Sequence, residues 1–171
     1  MNRGNEKPLN EIGEICVRGP NVMKGYWKQP EETAKSFFGE WFRTGDIGTE
    51  DEDHYFYIVD RIKDMVIVNG MNVYPRVVEE VLYKHEAVRE AAVIGQPSKL
   101  HGEVPIAYIA LNENFQPLEK EIRAFCFEHL GKHEVPKKVT FLDELPKNAA
   151  GKIVKRELRK QGEVERGIPN E

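Results

Sequence analysis

Short hydrophobic runs separated by glycine, proline and charged residues fill the first sixty residues. Strands are predicted over 14–18, 41–44 and 54–60, because aromatic and β-branched residues dominate these runs. A short helix is predicted over 30–38, since Pro30 suits the first position of a helix. These few elements provide little material for an independent hydrophobic core.

From about Met65 the hydrophobic pattern predicts a complete small domain. A helix begins at Pro75, and its apolar face consists of Val77, Val78, Val81 and Leu82. The other predicted elements are strands over 65–68, 87–95, 104–111 and 138–142, and helices over 117–130 and 153–160. The order strand, helix, strand, strand, helix, strand, helix indicates an α+β sandwich.

Composition narrows the class of function. The chain has 171 residues, with 25 Lys plus Arg, 29 Asp plus Glu and a formal net charge of -4. This length favours one domain, or one domain and a piece of another, and the charge disfavours a nucleic-acid binder. No apolar run approaches the roughly 18 residues that span a bilayer, and the first residues lack a signal-peptide pattern. Cys16 and Cys126 lie outside any metal-binding motif, so a cytosolic protein with reduced thiols is expected.

Two clusters near residues 43–64 carry groups that suit a nucleotide. Asp46 follows Gly45 in the run RTGD, where its carboxylate could accept hydrogen bonds from the vicinal hydroxyls of a ribose. An Asx-type turn, in which Asp46 bonds its own backbone, explains the same spacing. Arg61, in the run DRIKD, offers a planar fork of donors to phosphate or hydroxyl oxygens, or else belongs to a solvated charge cluster.

Two later loops are further candidates. In the run NGMN at 69–72, Gly70 would let a ligand approach the backbone, although an ordinary strand-to-helix connection is the alternative. Lys152 follows Gly151 before a predicted helix, where its ammonium could reach a developing negative charge or simply lie at the surface. This segment is not a phosphate-binding P-loop, because Ile153 stands where Ser or Thr is needed.

No metal site is predicted. His129 and His133 are four residues apart, but Gly131 interrupts the helix between them. Cys126 lies near the apolar face of the helix over 117–130 and is predicted to be a core residue rather than a nucleophile.

Taken in order, these runs resemble one family. The segments GEICVRGPNVMKGYWKQPEET, WFRTGD, DRIKDMVIVNGMNVYP and LPKNAAGKIVKREL are similar to the C-terminal portion of the adenylate-forming acyl-CoA synthetases. The segment NVYPRVVEEVLYKHEAVREAAVIG is most similar to bacterial long-chain fatty-acid CoA ligases. The resemblance implies two parts: the β-rich end of a large N-terminal domain over 1–62 and a complete mobile C-terminal domain over 63–160. It also implies that the mobile domain has a short antiparallel sheet with helices packed on it. The tail over 161–171 is charged and has no apolar period, so disorder is predicted there.

The resemblance implies a two-step enzyme. ATP and a fatty acid give an acyl-adenylate and pyrophosphate, and the CoA thiol then displaces AMP to give the thioester. By motif, Asp46 and Arg61 would bind ATP or AMP, Lys63 would be the hinge, and Lys152 would bridge the acid carboxylate and the α-phosphate. The loop that lines the CoA tunnel would contain Asn69, Gly70 and Asn72.

Other expectations follow from what these motifs leave out. The phosphate loop, the Mg²⁺ ligands and the acyl tunnel would lie in the large N-terminal domain, so the 171-residue chain is expected to be inactive alone. Its N-terminal strands would lack their partners from the large domain, so either disorder of this region or a homo-oligomer that covers it is expected. A cytoplasmic location is expected, with a peripheral position at the inner membrane surface left open.

Two alternative functions stay open. One is another adenylate-forming activity, such as an aryl or short-chain acid CoA ligase or acyl loading onto a carrier protein. The other is a non-catalytic binding module whose basic end, 147–160, attracts anions or an acidic partner.

Overall fold

The structure is a computed structural model that describes residues 5–165. The chain divides into two compact units that join between Lys63 and Asp64. We name the residues up to Lys63 unit 1 and those from Asp64 unit 2. Both units combine helices with largely antiparallel sheets, which confirms the predicted α+β class.

Unit 1 is built around one long strand, β3. Its elements are β1 (Gly13–Val17), α1 (Pro30–Lys35), β2 (Phe37–Phe38), β3 (Trp41–Glu50) and β4 (Phe56–Arg61). Antiparallel pairing joins β3 to β1, to β2 and to β4. β3 is longer than the strand predicted over 41–44, because its pairing with β4 continues as far as Glu50.

The helix predicted over 30–38 is shorter in the structure. α1 ends just before Ser36, whose hydroxyl donates to the Glu32 carbonyl at 2.8 Å. Phe37 then pairs with Phe42 across β2 and β3, with ring centroids 5.4 Å apart in an edge-to-face arrangement. This cross-strand aromatic contact favours a strand over a further helical turn.

Unit 2 has one mixed sheet with helices on both faces. Its elements are β5 (Val66–Val68), β6 (Met71–Val73), α2 (Pro75–Leu82), β7 (Val88–Ser98), β8 (Gly102–Leu111), α3 (Glu119–His129), β9 (Lys138–Phe141) and α4 (Lys155–Glu165). The strand order is β6-β5-β8-β7, and β9 pairs with β8 in parallel. The sheet is therefore not wholly antiparallel, because the chain crosses over through α3 before β9 forms.

The core of unit 2 consists of two hydrophobic clusters. One cluster includes Leu82 of α2 with Ile122 and Cys126 of α3, packed with residues of β5–β9. The other includes Leu158 of α4 and Leu145, packed with further residues of β7 and β8. Burial on both faces explains why β7 and β8 contain continuous apolar runs instead of alternating ones.

Side chains form hydrogen bonds with the backbone of β7, which is an edge strand of the sheet. The Val93 N–H donates to the Glu79 carboxylate at 2.7 Å, and the Tyr83 hydroxyl donates to the Ala91 carbonyl at 3.5 Å. An unpaired strand edge is a site for unwanted pairing. Glu79 and Tyr83 of the α2 segment therefore occupy backbone groups that another strand could otherwise bond.

Two sequence predictions need correction in unit 2. The pattern predicts a loop where β6 lies, but β6 pairs with β5 over three residues. It also predicts disorder from residue 161, yet α4 continues through Glu165, and Gln96 donates to the Gly162 carbonyl at 3.3 Å. Tertiary contacts extend this helix beyond its hydrophobic period, and residues 166–171 lie outside the described residues. No helix within the described part of the chain is long and apolar enough to cross a membrane.

Candidate functional site

Asp46 and Arg61 lie opposite each other on β3 and β4 of unit 1. The Arg61 Nε donates to Asp46 Oδ1 at 2.8 Å. The Asp46 backbone N–H donates instead to the Thr44 hydroxyl at 3.0 Å, and that hydroxyl donates to the Ile15 carbonyl at 2.7 Å. The carboxylate of Asp46 thus faces a guanidinium and not its own backbone. Strand pairing brings together two of the residues that the sequence assigned to a nucleotide.

A cavity of about 350 Å³ in unit 1 adjoins this pair. Its lining residues are Glu14, Lys35, Ser36, Arg43, Thr44, Gly45, Arg61, Ile62 and Lys63. Both Nε and Nη2 of Arg43 lie 2.9 Å from one Glu14 oxygen, which neutralises part of the positive charge. The remaining excess of cationic side chains suits an anionic ligand such as a phosphate group.

Lys152 lies in a tight turn held by one side chain. Asn148 Oδ1 accepts hydrogen bonds from the Ala150 N–H at 3.0 Å and the Lys152 N–H at 2.9 Å. The backbone N–H of Asn148 donates to the Lys152 carbonyl at 2.9 Å, and Lys147 forms an isolated β-bridge with Ile153. Lys152 itself is exposed, and its ammonium has no hydrogen bond or ion pair within residues 5–165. Hydrogen bonds thus fix the backbone at Lys152, while its ammonium remains available to a ligand.

Two ion pairs flank this turn. Lys147 pairs with Glu90 of β7, and Lys155 Nζ lies 2.8 Å from Glu79 Oε1 of α2. The side chains of both acidic partners are at least four-fifths buried. Partly buried pairs are screened less by solvent than surface pairs. They therefore hold the segment on either side of Lys152 against the sheet.

A third ion pair joins α4 to the beginning of unit 2. Arg159 Nη2 donates to Asp64 Oδ1 at 2.6 Å, and the Asp64 side chain is mostly buried. The sequence motifs gave no indication of any of these three pairs. Their partners are 57, 76 and 95 residues apart, and local pattern carries no signal for contacts at such separations.

Asn69 and Gly70 form the two-residue turn of the β5–β6 hairpin. Their φ angles are +50° and +81°, and Val68 pairs with Met71 across the turn. Positive φ at both central positions is the requirement of a type I′ turn, and Asn-Gly is the sequence that meets it best. Asn72 lies on β6, opposite Ile67. The three residues assigned to a CoA tunnel therefore share one hairpin.

The remaining residues considered in the sequence are Cys126, His129 and His133. Within the described residues, no group of three or more His, Cys, Asp or Glu side chains could hold a metal ion. Cys126 is fully buried in the core, and this burial raises the pKa of its thiol to about 11. A thiol held in its neutral form is a poor nucleophile, so Cys126 has the character of a core residue. The His129 ring stacks near Phe125, with centroids 4.4 Å apart.

Comparison with known families gives a match that lies within unit 2. Residues 77–152 match the family described as the AMP-binding enzyme C-terminal domain. The match covers 76 of the 171 residues, all of them in unit 2. Lys152 is the last residue of the match, and the match begins in α2, so most of the unit 2 sheet lies within it.

Two similar curated proteins are CoA ligases. The chain is 50% identical over 151 residues to a 2-succinylbenzoate–CoA ligase of Geobacillus kaustophilus, covering 88% of this chain and 31% of that protein. It is 49% identical over 148 residues to a long-chain-fatty-acid–CoA ligase of Bacillus subtilis, covering 86% and 26%. The chain thus spans about a third or less of the length of the curated relatives it matches.

Solved structures of similar enzymes match the chain over a comparable region. ATP-bound MatB from Rhodopseudomonas palustris matches with a TM-score of 0.88 and 40% identity, over 94% of this chain and 32% of that one. An o-succinylbenzoate CoA synthetase from Bacillus subtilis, in complex with an acyl-adenylate intermediate, matches with a TM-score of 0.79 and 40% identity, over 90% and 31%. The predicted resemblance to the C-terminal portion of the adenylate-forming CoA ligases is confirmed.

Proposed function

We propose that this chain acts as the C-terminal part of an ATP-dependent acid–CoA ligase. In the first step the acid carboxylate attacks the α-phosphorus of ATP, giving an acyl-adenylate and releasing pyrophosphate. In the second step the CoA sulfur attacks the acyl carbon, losing its proton, and AMP leaves with the electron pair of the broken C–O bond. The observation that carries the proposal is the exposed Lys152 ammonium, which stands on a rigid turn without a partner among the described residues.

The residues divide between the two steps. Lys152 would contact the acid carboxylate and the α-phosphate, where charge develops in the transition state. Asp46 would accept hydrogen bonds from the ribose hydroxyls, and Arg61 would orient Asp46 and contact the ribose and phosphate region. These roles fit a carboxylate and a guanidinium that are already 2.8 Å apart at the edge of a cationic cavity.

The second step would use the β5–β6 hairpin. Asn69, Gly70 and Asn72 would line the tunnel for the pantetheine arm of CoA, since Gly70 leaves open space where a side chain would stand. We place the hinge at Lys63, which is the last residue of unit 1. A change of backbone torsion there would alter no core contact of unit 2, because that core begins at Val66.

Two acids are candidates for the substrate. We favour a fatty acid, in line with the resemblance of the 72–95 segment and the 49% identity to the Bacillus subtilis ligase. The second candidate is 2-succinylbenzoate, which the 50% identity to the Geobacillus kaustophilus ligase favours equally well. We assign no Mg²⁺ ligand among residues 5–165, because no group of three or more His, Cys, Asp or Glu side chains there could hold a metal ion.

Two further proposals concern the protein outside its chemistry. We place it in the reducing cytoplasm, since Cys16 and Cys126 are both free thiols.

We also propose that the isolated chain self-associates through unit 1, where Tyr55, Phe56 and Tyr57 are all more than half exposed. Light scattering should then give a mass above that of the 19.7 kDa monomer. A monomer at all concentrations would contradict self-association.

A hybrid enzyme tests the proposed function. This chain replaces the matching C-terminal part of the Bacillus subtilis fatty-acid ligase in one hybrid, and of the Geobacillus kaustophilus ligase in a second. Pyrophosphate release reports the first step, and acyl-CoA formation from a supplied acyl-adenylate reports the second. The controls are the two unaltered ligases and the same ligases without their C-terminal parts.

We expect at least one hybrid to carry out both steps, and the 171-residue chain alone to carry out neither. The acid used by the more active hybrid would indicate the substrate of the protein to which this chain belongs. Hybrids that perform no better than the truncated ligases, despite normal folding, would overturn the proposed function. Acyl-CoA formation by the isolated chain would contradict the role as one part of a larger site.

A further inference from the structure

His101 is a residue that no motif assigned, and it contacts the proposed CoA hairpin. It lies just before β8, 32 residues after Asn69. The Asn69 N–H donates to the His101 carbonyl at 2.8 Å, and His101 Nδ1 lies 3.0 Å from Asn69 Oδ1. The two residues are thus joined once through the backbone and once through their side chains.

Neighbouring contacts make this junction rigid. Gly102 forms a bridge with Val68, and the Ile67 N–H donates to a Glu103 carboxylate oxygen at 2.9 Å. The hairpin is therefore bonded to His101 and to the two residues that follow it, Gly102 and Glu103. The Asn69 side chain is exposed, so without a partner it would rotate freely.

The direction of the side-chain hydrogen bond determines which donors of Asn69 remain available to a ligand. Oδ1 is an acceptor only, so the neutral imidazole must carry its proton on Nδ1. With Oδ1 occupied, the Nδ2 amino group points away from the imidazole, and it has no hydrogen-bond partner among the described residues. Two N–H donors are thereby held available at the tip of the hairpin.

We infer that His101 is a positioning residue for the thioester-forming step. It orients the Asn69 carboxamide so that Nδ2 donates to an amide carbonyl of the pantetheine arm of CoA. The inference rests on the proposed function, because it assigns the hairpin to CoA. His101 itself does not touch the reacting atoms, and its effect passes through Asn69.

The kinetic test uses His101→Leu and His101→Asn in the hybrid enzyme. Leucine removes the donor, whereas an asparagine amide group lies close to where the imidazole carries Nδ1. We expect H101L to raise the KM for CoA in the second step about three- to tenfold, the cost of one lost hydrogen bond. H101N should restore the KM to within about twofold of wild type. The rate of pyrophosphate release should not change in either variant.

One further variant is a matched control, and another completes a double-mutant cycle. His54→Leu removes an exposed histidine whose ring makes one hydrogen bond, to Glu50 in unit 1, and should leave the KM for CoA unchanged. Asn69→Gly keeps a residue that tolerates positive φ but removes the carboxamide. The double variant N69G/H101L should be no worse than N69G alone, because both changes remove the same interaction.

Three kinetic results would overturn the inference: an unchanged KM for CoA in H101L, an equal loss in both steps, or additive effects in the double variant. The outcome is separable from that of the proposed function. If the wild-type hybrid forms no acyl-CoA, the proposed function fails, and the ¹⁵N spectrum of the 171-residue chain still tests His101. We expect the Nδ1–H tautomer, and an Nε2–H tautomer would refute the positioning role.

Discussion

The two units differ most in what their sheets bury. In unit 1, Ile47 is the one buried hydrophobic residue among those described, and the aromatic residues Trp27, Tyr55 and Phe56 are 85%, 67% and 60% exposed. In unit 2, the sheet is covered on both faces, and its two clusters contain most of the hydrophobic residues of β7 and β8. Unit 2 has the core of a stable domain, whereas unit 1 has strands without one.

The candidate residues differ in the same way. Asp46 and Arg61 of unit 1 lie on paired strands and neutralise each other. Lys152 and Asn69 of unit 2 lie in turns that are bonded to a buried sheet, and their functional groups keep donors available within the described part of the chain. A well-packed scaffold holds an exposed group in place without using that group in the packing. Unit 2 is therefore where single substitutions should affect chemistry and stability most.

The largest expected effect is on the adenylation step. Lys152→Ala in the hybrid enzyme should lower acid-dependent pyrophosphate release about 100- to 1000-fold, as the loss of one transition-state donor does elsewhere. Acyl-CoA formation from supplied acyl-adenylate should be preserved. Lys84→Ala, which removes another exposed lysine of unit 2, is the matched control and should change neither step. Equal losses in both steps would mean that Lys152 has a structural role.

The stability contrast can be tested directly. Leu158→Ala removes a fully buried side chain of α4 and should lower the free energy of unfolding of unit 2 by about 2–5 kcal/mol. Trp27→Ala, at a site that is 85% exposed, should change stability by less than about 0.5 kcal/mol. Urea unfolding of the 171-residue chain, followed by far-UV circular dichroism, measures both. A large loss for W27A would show that unit 1 has packing that the exposed areas do not reveal.

Asp46→Asn tests the nucleotide role of unit 1. The change keeps the shape of the side chain but removes its charge, so the KM for ATP should rise about 10- to 100-fold, the range for a charged hydrogen bond. The second step, started from acyl-adenylate, should be affected less. Asp53→Asn in the exposed β3–β4 turn is the control. An unchanged KM for ATP would remove Asp46 from the site.

The smallest expected effect compares one glycine from each unit. Gly45 and Gly70 have φ angles of +75° and +81°, and at either position a Cβ would meet no atom within 4 Å outside the adjoining residues. Alanine at either position should therefore cost only backbone strain, about 1–2 kcal/mol. G70A should shift the main unfolding transition, whereas G45A should accelerate hydrogen exchange in unit 1 alone. Equal shifts of the main transition would mean that the two units unfold together.

Much of the fold could be predicted from local sequence. Pro75 and the apolar positions of α2 located that helix, and the aromatic and β-branched runs located β4, β7 and β8 within a few residues. β6 escaped detection because only three residues form it and two of them are exposed, although Asn69-Gly70 is a strong hairpin signal. The parallel pairing of β9 depends on the crossover through α3, which no local pattern encodes.

The site shows the same division between local and distant information. Motif order selected Asp46, Arg61 and Lys152 as candidates, since each lies in a short run of distinctive sequence. The partners that hold the Lys152 turn in position, Glu79 and Glu90, are ordinary acidic residues far away in the sequence. Their roles follow from packing in three dimensions, and sequence alone gave no reason to select them.

The placement of the two thiols has a consequence for measurement. Cys126 lies on the buried face of α3, and Cys16 of unit 1 is only partly buried. A thiol reagent can reach Cys126 only after α3 lifts from the sheet, so its labelling rate reports the opening equilibrium of that helix. Cys16 reports access within unit 1 in the same sample. The chain thus carries one natural kinetic probe in each unit, and the opening of each can be timed without introducing a label.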